Sequence, residues 1–184
     1  GQLLYKGGTT DGKREDTWEF YHPNGQLRYK GNYKNGKEEG PWEHYNENGQ
    51  LSSKRNYKDG KQEGPSEYFH DNGQLSSKGN FINGMKEGLW EVYNENGELN
   101  SRGNLKEDKR EGTWETYHQN GELDSRGNFI NGMKEGLWEF YFDSGQLEFK
   151  GNYKEGKREG VWEFFDKDGI LAKSLIYKNG WIQN

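Results

Sequence analysis

The sequence predicts an all-β chain, an elongated single-layer antiparallel meander of tandem 24-residue β-hairpin repeats, twisted or curled into a trough. Three observations predict it. Trp18, Trp42, Trp90, Trp114, Trp138 and Trp162 recur on a period of 24, with Ser66 in the one remaining place. A Glu follows each of these positions, from Glu19 to Glu163, and a Gly stands seven residues on: Gly25, Gly49, Gly73, Gly97, Gly121, Gly145 and Gly169. Two turn signals punctuate every unit, with runs of eight to ten residues between them, which is strand length. A fixed period without insertion or deletion marks a repeat array. Twenty-four residues are too few for a helix pair and suit two strands with two turns.

Residues 1–16 read as the second half of a unit, with Gly1, Leu3, Gly7 and Gly12 in register with Gly25, Leu27, Gly31 and Gly36. Six full repeats then occupy 17–160, and 161–184 is a divergent C-terminal repeat. The start in mid-repeat, without Met, suggests truncation at the N-terminus, leaving the compartment open between cytoplasm and a secreted or surface location.

Within a unit the first turn is Asn24-Gly25, recurring as Asn48-Gly49, Asn72-Gly73, Asn96-Gly97 and Asn120-Gly121. The second is Asn35-Gly36, recurring as Asp59-Gly60, Asn83-Gly84, Asn131-Gly132, Glu155-Gly156 and Asn179-Gly180. Such dipeptides favour two-residue type I′ turns, whose central residues both need positive φ. Lys106-Glu107-Asp108-Lys109 lacks the glycine and predicts a looser turn.

A two-residue loop at Asn24-Gly25 would make paired residue numbers sum to 49, setting Phe20 opposite Tyr29, Glu19 opposite Lys30 and Trp18 opposite Gly31. A glycine supplies the room an indole needs. One face then carries Trp18, Phe20, Leu27, Tyr29, Gly31 and Tyr33, and the other Glu19, Tyr21, Arg28, Lys30 and Asn32. Glu19–Lys30, Glu43–Lys54, Glu67–Lys78, Glu91–Arg102, Glu115–Arg126 and Glu139–Lys150 form a cross-strand charge ladder, each pair worth roughly 0.2–1 kcal/mol. The Asn35-Gly36 turn, with sums of 71, would set Tyr29 opposite Trp42. At about 4.8 Å per strand a unit advances roughly 10 Å, and the array about 70 Å.

Departures from the pattern are informative. Ser66 after Pro65 marks the third unit as a soft spot, and Arg55 replaces the glycine opposite Trp42. Residues 79–91 and 127–139 are identical, indicating duplication of a two-unit block. The last unit is more apolar, with Leu175 at a glycine position, as suits a capping end that covers an open edge.

Bulk properties are consistent with a thin array. Hydrophobic residues make up only 28%, yet aromatics reach 15%, and the 28 glycines are ordered by the period, unlike those of a flexible linker. The net charge of -5 gives no general attraction to nucleic acid or to an anionic membrane. Without cysteine there is no thiolate metal site, disulfide or Cys nucleophile. His22, His70 and His118 share a column but stand roughly 19 Å apart, too far to share a metal ion, and His44 lies in another column. They read as surface histidines. Carboxylates and Ser-Ser-Lys tripeptides recur with the period and show no singular acid pair or nucleophile. The residues thus predict no enzyme, no cofactor and no metal.

The Trp column, with the period glycines Gly25 to Gly145, reads as structure. The column Tyr21, Tyr45, Tyr93, Tyr117 and Tyr141, with Phe69 and Phe165, lies on the charged face. It is either a surface for a protein partner or a second packing layer.

The pattern W-E-x-Y-x-x-N-G-x-L-x-x-x-G-N-Y-x-x-G-K-x-E-G in residues 17–40, 41–64, 89–112, 113–136 and 137–160, and more weakly in 65–88 and 161–184, resembles the MORN-variant repeat. The resemblance implies β-hairpin repeats and a non-catalytic protein-binding or scaffolding role. Bacterial arrays of this kind suggest an antitoxin or immunity protein with a cognate toxin as partner. The alternative is a secreted or surface-associated array that binds carbohydrate or cell wall through its aromatics.

Overall fold

The computed structural model describes residues 4–183, so Gly1 and Leu3, two of the positions aligned above, lie outside the described residues. Contacts divide the chain into two compact units. One holds the chain up to Glu87 with Glu95–Gly97, and the other holds Gly88–Asn94 and the chain from Glu98 onward.

The first unit contains β1 (Tyr5–Thr10), β2 (Lys13–Tyr21), β3 (Leu27–Lys34), β4 (Lys37–Tyr45), β5 (Leu51–Lys58), β6 (Lys61–Gln62), β7 (Gly64–Phe69) and β8 (Leu75–Ile82), and β9 (Met85–Tyr93) begins in it. The second continues β9 and adds β10 (Leu99–Lys106), β11 (Lys109–Tyr117), β12 (Leu123–Ile130), β13 (Met133–Tyr141), β14 (Leu147–Lys154), β15 (Lys157–Phe165), β16 (Leu171–Lys178) and β17 (Trp181–Ile182). Within each unit the strands pair antiparallel along the chain, with β6 and β7 both pairing to β5, so each is a meander of hairpins.

The two turns of a repeat differ. At Asn35-Gly36 both central residues have positive φ, 52° and 79°, and Lys34 pairs with Lys37, which is the expected type I′ hairpin. The turn without glycine takes the same form: Lys106 pairs with Lys109, and Glu107 and Asp108 sit at φ 49° and 64°. It is closed, with two side chains in the left-handed region, where the expectation was a looser loop.

At Asn24-Gly25 only Gly25 has positive φ, 85°, so the expected two-residue I′ loop is not formed. Gly25 N–H donates to the His22 carbonyl at 2.9 Å, closing a turn over Pro23 and Asn24, and His22 N–H donates to the Gln26 carbonyl at 2.8 Å. A turn followed by a left-handed glycine is the longer hairpin loop. Asn24 Oδ1 accepts from Gln26 N–H at 3.0 Å, which explains the asparagine.

Beyond this loop Phe20 faces Tyr29, Glu19 faces Lys30 and Trp18 faces Gly31, as expected, but Tyr21 faces Leu27 and Arg28 is the extra residue of a bulge. The bulge reverses the alternation. Leu27 joins Tyr21, and Arg28 moves to the aromatic face, where its guanidinium lies 5.5 Å from the centre of the Tyr29 ring. Its equivalent Asp124 accepts a hydrogen bond from Thr116 on the same face.

A second bulge lies at Gly40-Pro41. Asn32 faces Glu39, and Gly31 then faces Trp42. The expected Tyr29–Trp42 pairing is therefore shifted by two residues, and Tyr29 faces His44. Gly40, at φ 70°, makes the bend. Five indoles lie over the glycine of the strand before them: a Cβ on Gly31 would fall 2.1 Å from the Trp42 ring, and one on Gly7 under Trp18, Gly103 under Trp114, Gly127 under Trp138 or Gly151 under Trp162 would fall 2.1–2.3 Å away. Gly31 faces Trp18 in the ladder but makes room for Trp42.

The core is this file of indoles, at most 5% exposed, closed edge-on by Tyr33 and Tyr57 around Trp42 and by Phe129 and Tyr153 around Trp138. A cation four residues before the Trp lies over the ring: Arg14 on Trp18, Arg110 on Trp114, Lys134 on Trp138 and Arg158 on Trp162, at 4.1–4.7 Å from the centroid. A single sheet layer thereby encloses Trp18, Trp114, Trp138 and Trp162 with a glycine below, aromatic edges beside and a cation above, while at Trp42 the position of the cation is held by Glu38.

Hydrogen bonds between hairpins lock the edges. In the first unit Gly36 N–H donates to the Arg14 carbonyl and Asn35 N–H to Glu15 Oε1; in the second Gly132 and Asn131 do the same with Arg110 and Glu111. The recurrent Glu after the cation is thus an acceptor for the next hairpin's turn. At the opposite edge Asn24 Nδ2 donates to the Glu47 carbonyl and Asn120 Nδ2 to that of Asp143.

Candidate functional site

The face opposite the indoles carries three parallel columns. The central one alternates sign. In the first unit Lys6, Glu19, Lys30, Glu43, Lys54, Glu67 and Lys78 face one another in turn; in the second the run is Glu91, Arg102, Glu115, Arg126, Glu139, Lys150 and Glu163. The expected facings Glu19–Lys30 to Glu139–Lys150 are present. The ion pairs nevertheless form with the cation of the preceding strand, as Lys30–Glu43 at 2.9 Å, Arg102–Glu115 at 2.7 Å, Lys150–Glu163 at 3.3 Å and Arg126–Glu139. The bulge at Gly40-Pro41 and its equivalents lies beside these pairs and changes the register there.

The second column is the tyrosines. Tyr21 and Tyr45 in the first unit, and Tyr93, Tyr117 and Tyr141 in the second, are half-buried. Each hydroxyl donates to the Glu two residues earlier on its own strand, at 2.6–3.1 Å. Arg102 lies 5.9 Å from the centre of the Tyr117 ring and Arg126 6.0 Å from that of Tyr141. Glu, cation and Tyr thus form one repeated cluster. The hydrogen bond from Tyr117, then that from Arg102, hold Glu115 below the usual carboxylate range; for Glu43 the order is Lys30, then Tyr45. Burial and the neighbouring carboxylate push Tyr117 up.

The third column was not singled out from the sequence. The residue before each Trp sits at the bulge and projects outward. In the second unit it includes Leu89, Leu137 and Val161, each more than half exposed, with Ile176 facing Val161. Strand alternation from the Trp already places these residues on the charged face, so the signal that could have found them is the alternation itself.

Histidines hold hairpins together. His22 Nε2–H donates to the Tyr45 carbonyl at 2.9 Å and His118 Nε2–H to that of Tyr141 at 2.8 Å. Among the described residues no group of three His, Cys, Asp or Glu side chains could hold a metal ion. No described helix is long and apolar enough to cross a membrane.

A tandem array of two-strand hairpins, with Trp seated on Gly and a self-neutralising charged face, defines a repeat-type binding module of the kind that is generally non-catalytic. The MORN repeat variant matches seven times, at residues 17–35, 38–59, 62–83, 86–107, 110–131, 134–155 and 158–179, and the chain belongs to that family. A comparison with curated proteins finds no match.

Proposed function

We propose that this chain is a non-catalytic protein–protein interaction array, of antitoxin, immunity or scaffolding type, and that it binds through the charged face. The observation that carries the reading is the composition of that face in the second unit. Its charges are paired within the ladder, its tyrosines are rigidly held, and Leu89, Leu137, Val161 and Ile176 stand exposed beside them. Held aromatic rings flanked by exposed aliphatics and short charge pairs are what protein interfaces use as anchor and rim. The carbohydrate-binding alternative needs a repeated row of open aromatic platforms, and the indoles of the repeat column are at most 5% exposed, which leaves Trp181, 78% exposed, as the open indole.

The test is affinity capture with the intact array, set against Leu137→Lys/Val161→Lys and against Tyr117→Ala. One stoichiometric protein partner, lost with the first variant at unchanged thermal stability and weakened about tenfold by the second, supports the reading. A partner retained by both variants removes the charged face, and retention of glycan or wall material alone removes the protein partner.

A further inference from the structure

In a periodic chain, residues that the fold requires recur every 24 positions, and residues it does not require are free to differ. Three columns carry a basic side chain at one place only, each in the first unit, and the structure brings the three together. His44 shares a column with Phe20, Tyr68, Val92, Thr116, Phe140 and Phe164; Arg28 with Ser52, Ser76, Asn100, Asp124, Glu148 and Ala172; and Arg55 with five glycines from Gly31 to Gly151 and with Leu175.

His44 on β4 faces Tyr29 of β3 on one side and Ser53 of β5 on the other. The imidazole lies 5.6 Å from the Tyr29 ring, over which Arg28 is placed. Across the other strand Arg55 Nε donates to Ser53 Oγ at 3.1 Å, and its guanidinium lies 5.2 Å from the centre of the Tyr68 ring. Two guanidinium groups thus bracket one imidazole, and neither has a carboxylate in salt-bridge range. His44 Nε2 is buried and has no hydrogen-bond partner. Burial first, then Arg55 and Arg28, depress its pKa to about 4, and no carboxylate acts in the other direction. The half-buried carboxyl of Glu38, further along β4, is raised by burial and answers to Arg14.

We propose that Arg28, His44 and Arg55 form a binding site for a phosphate-class oxyanion, on the aromatic face and independent of the charged-face reading above. Two unpaired cations would be neutralised by one dianion, and guanidinium forks match tetrahedral and carboxylate oxygens with paired hydrogen bonds. His44 Nε2, buried and without a partner, is a third donor in the tautomer that carries its proton, and an unpaired buried nitrogen is costly. Both Arg side chains rest on ring faces, so they swing onto an anion without breaking an ion pair. The ring faces of Tyr29 and Tyr68 bound the site and limit its hydration.

The test is titration of the full array, with its histidines isotopically labelled for NMR, by inorganic phosphate and separately by phenyl phosphate at constant ionic strength. The His44 imidazole signals are expected to shift saturably, with affinity reduced about tenfold or more in Arg28→Ser and in Arg55→Gly. Each variant installs a residue that the same column uses elsewhere in this chain. Saturation by inorganic phosphate identifies a free-ion site, and saturation by phenyl phosphate alone identifies a site for a phosphate monoester. If neither compound shifts His44 saturably, or if both variants bind like the parent, the proposal is overturned. Should Arg55→Gly loosen the fold, Arg28→Ser decides alone.

Discussion

Arg55 occupies the strand position on which a Trp at 66 would lie, and Ser66 is the one place in the period where Trp is missing. Elsewhere that position is the glycine beneath the next indole, as Gly31 is beneath Trp42. The two departures, read from sequence as separate irregularities, are one change. Arg55 fills toward Ser53 and Tyr68, while Gln62 Nε2 donates to Ser66 Oγ at 3.1 Å and leaves the serine 2% exposed.

Restoring only half of the pattern therefore harms the fold. Ser66→Trp alone is expected to destabilise by about 1–3 kcal/mol through overpacking against Arg55. Ser66→Trp with Arg55→Gly is expected to be at least as stable as the parent. Chemical denaturation of the three proteins gives the coupling directly.

The same geometry predicts the effect of the smallest side chain. Gly127→Ala puts a methyl 2.1 Å from the Trp138 ring, so the indole must leave its place. A loss of about 1–3 kcal/mol is expected, with a change in Trp fluorescence. Gly8→Ala, which meets no side chain within 4 Å, is the matched control and is expected to be near neutral.

Asp108 holds a left-handed φ of 64° that glycine takes freely. Asp108→Gly is expected to stabilise by about 1 kcal/mol, measured as a shift of the denaturation midpoint. Gly132→Ala, at φ 83° in the equivalent turn, is expected to do the reverse.

His44 gives a pH dependence of definite sign. Its pKa falls from 6.5 to about 4 on folding, so below pH 6.5 the unfolded chain takes up a proton that the folded one refuses. Stability is lost as pH falls from 6.5 toward 4. His44→Phe, which copies Phe20, is expected to flatten that part of the profile. NMR titration is expected to show the His44 ring neutral at pH 5.5.

Glu43 and Glu115 add a second, lower window. Both are depressed on folding, so their contribution is present above the ordinary carboxylate range and lost as pH falls through their folded values. Glu115→Gln is expected to reduce the acid sensitivity of the unfolding midpoint below about pH 4.

Much of this was legible in the sequence because the period is strict. The hairpins, the facing of Glu19 with Lys30, the I′ turn at Asn35-Gly36 and the structural part of Trp18 and its equivalents follow from spacing and residue type. What was not legible is the pair of bulges. Gly40 looks like any repeat glycine, yet at φ 70° it shifts Trp42 from Tyr29 to Gly31. The loop after Asn24-Gly25 turns Arg28 to the aromatic face. One-residue insertions in a ladder invert faces without altering composition, so strand alternation alone misplaces the residues beyond the insertion, here Leu27 and Arg28, and mispairs the next strand. The site around His44 was hidden for that reason.

The placing of each indole on the strand before it gives the array a temporal direction. Gly31 precedes Trp42 by eleven residues, and Gly7, Gly103, Gly127 and Gly151 likewise precede the indoles they seat. A nascent chain therefore carries the glycine seats of Trp18, Trp42, Trp114, Trp138 and Trp162 before the indoles themselves are synthesised. The seat of an indole thus lies upstream of it in the chain, while its second aromatic edge, Tyr57 for Trp42 and Tyr153 for Trp138, lies downstream, so each hairpin is finished by the one that follows.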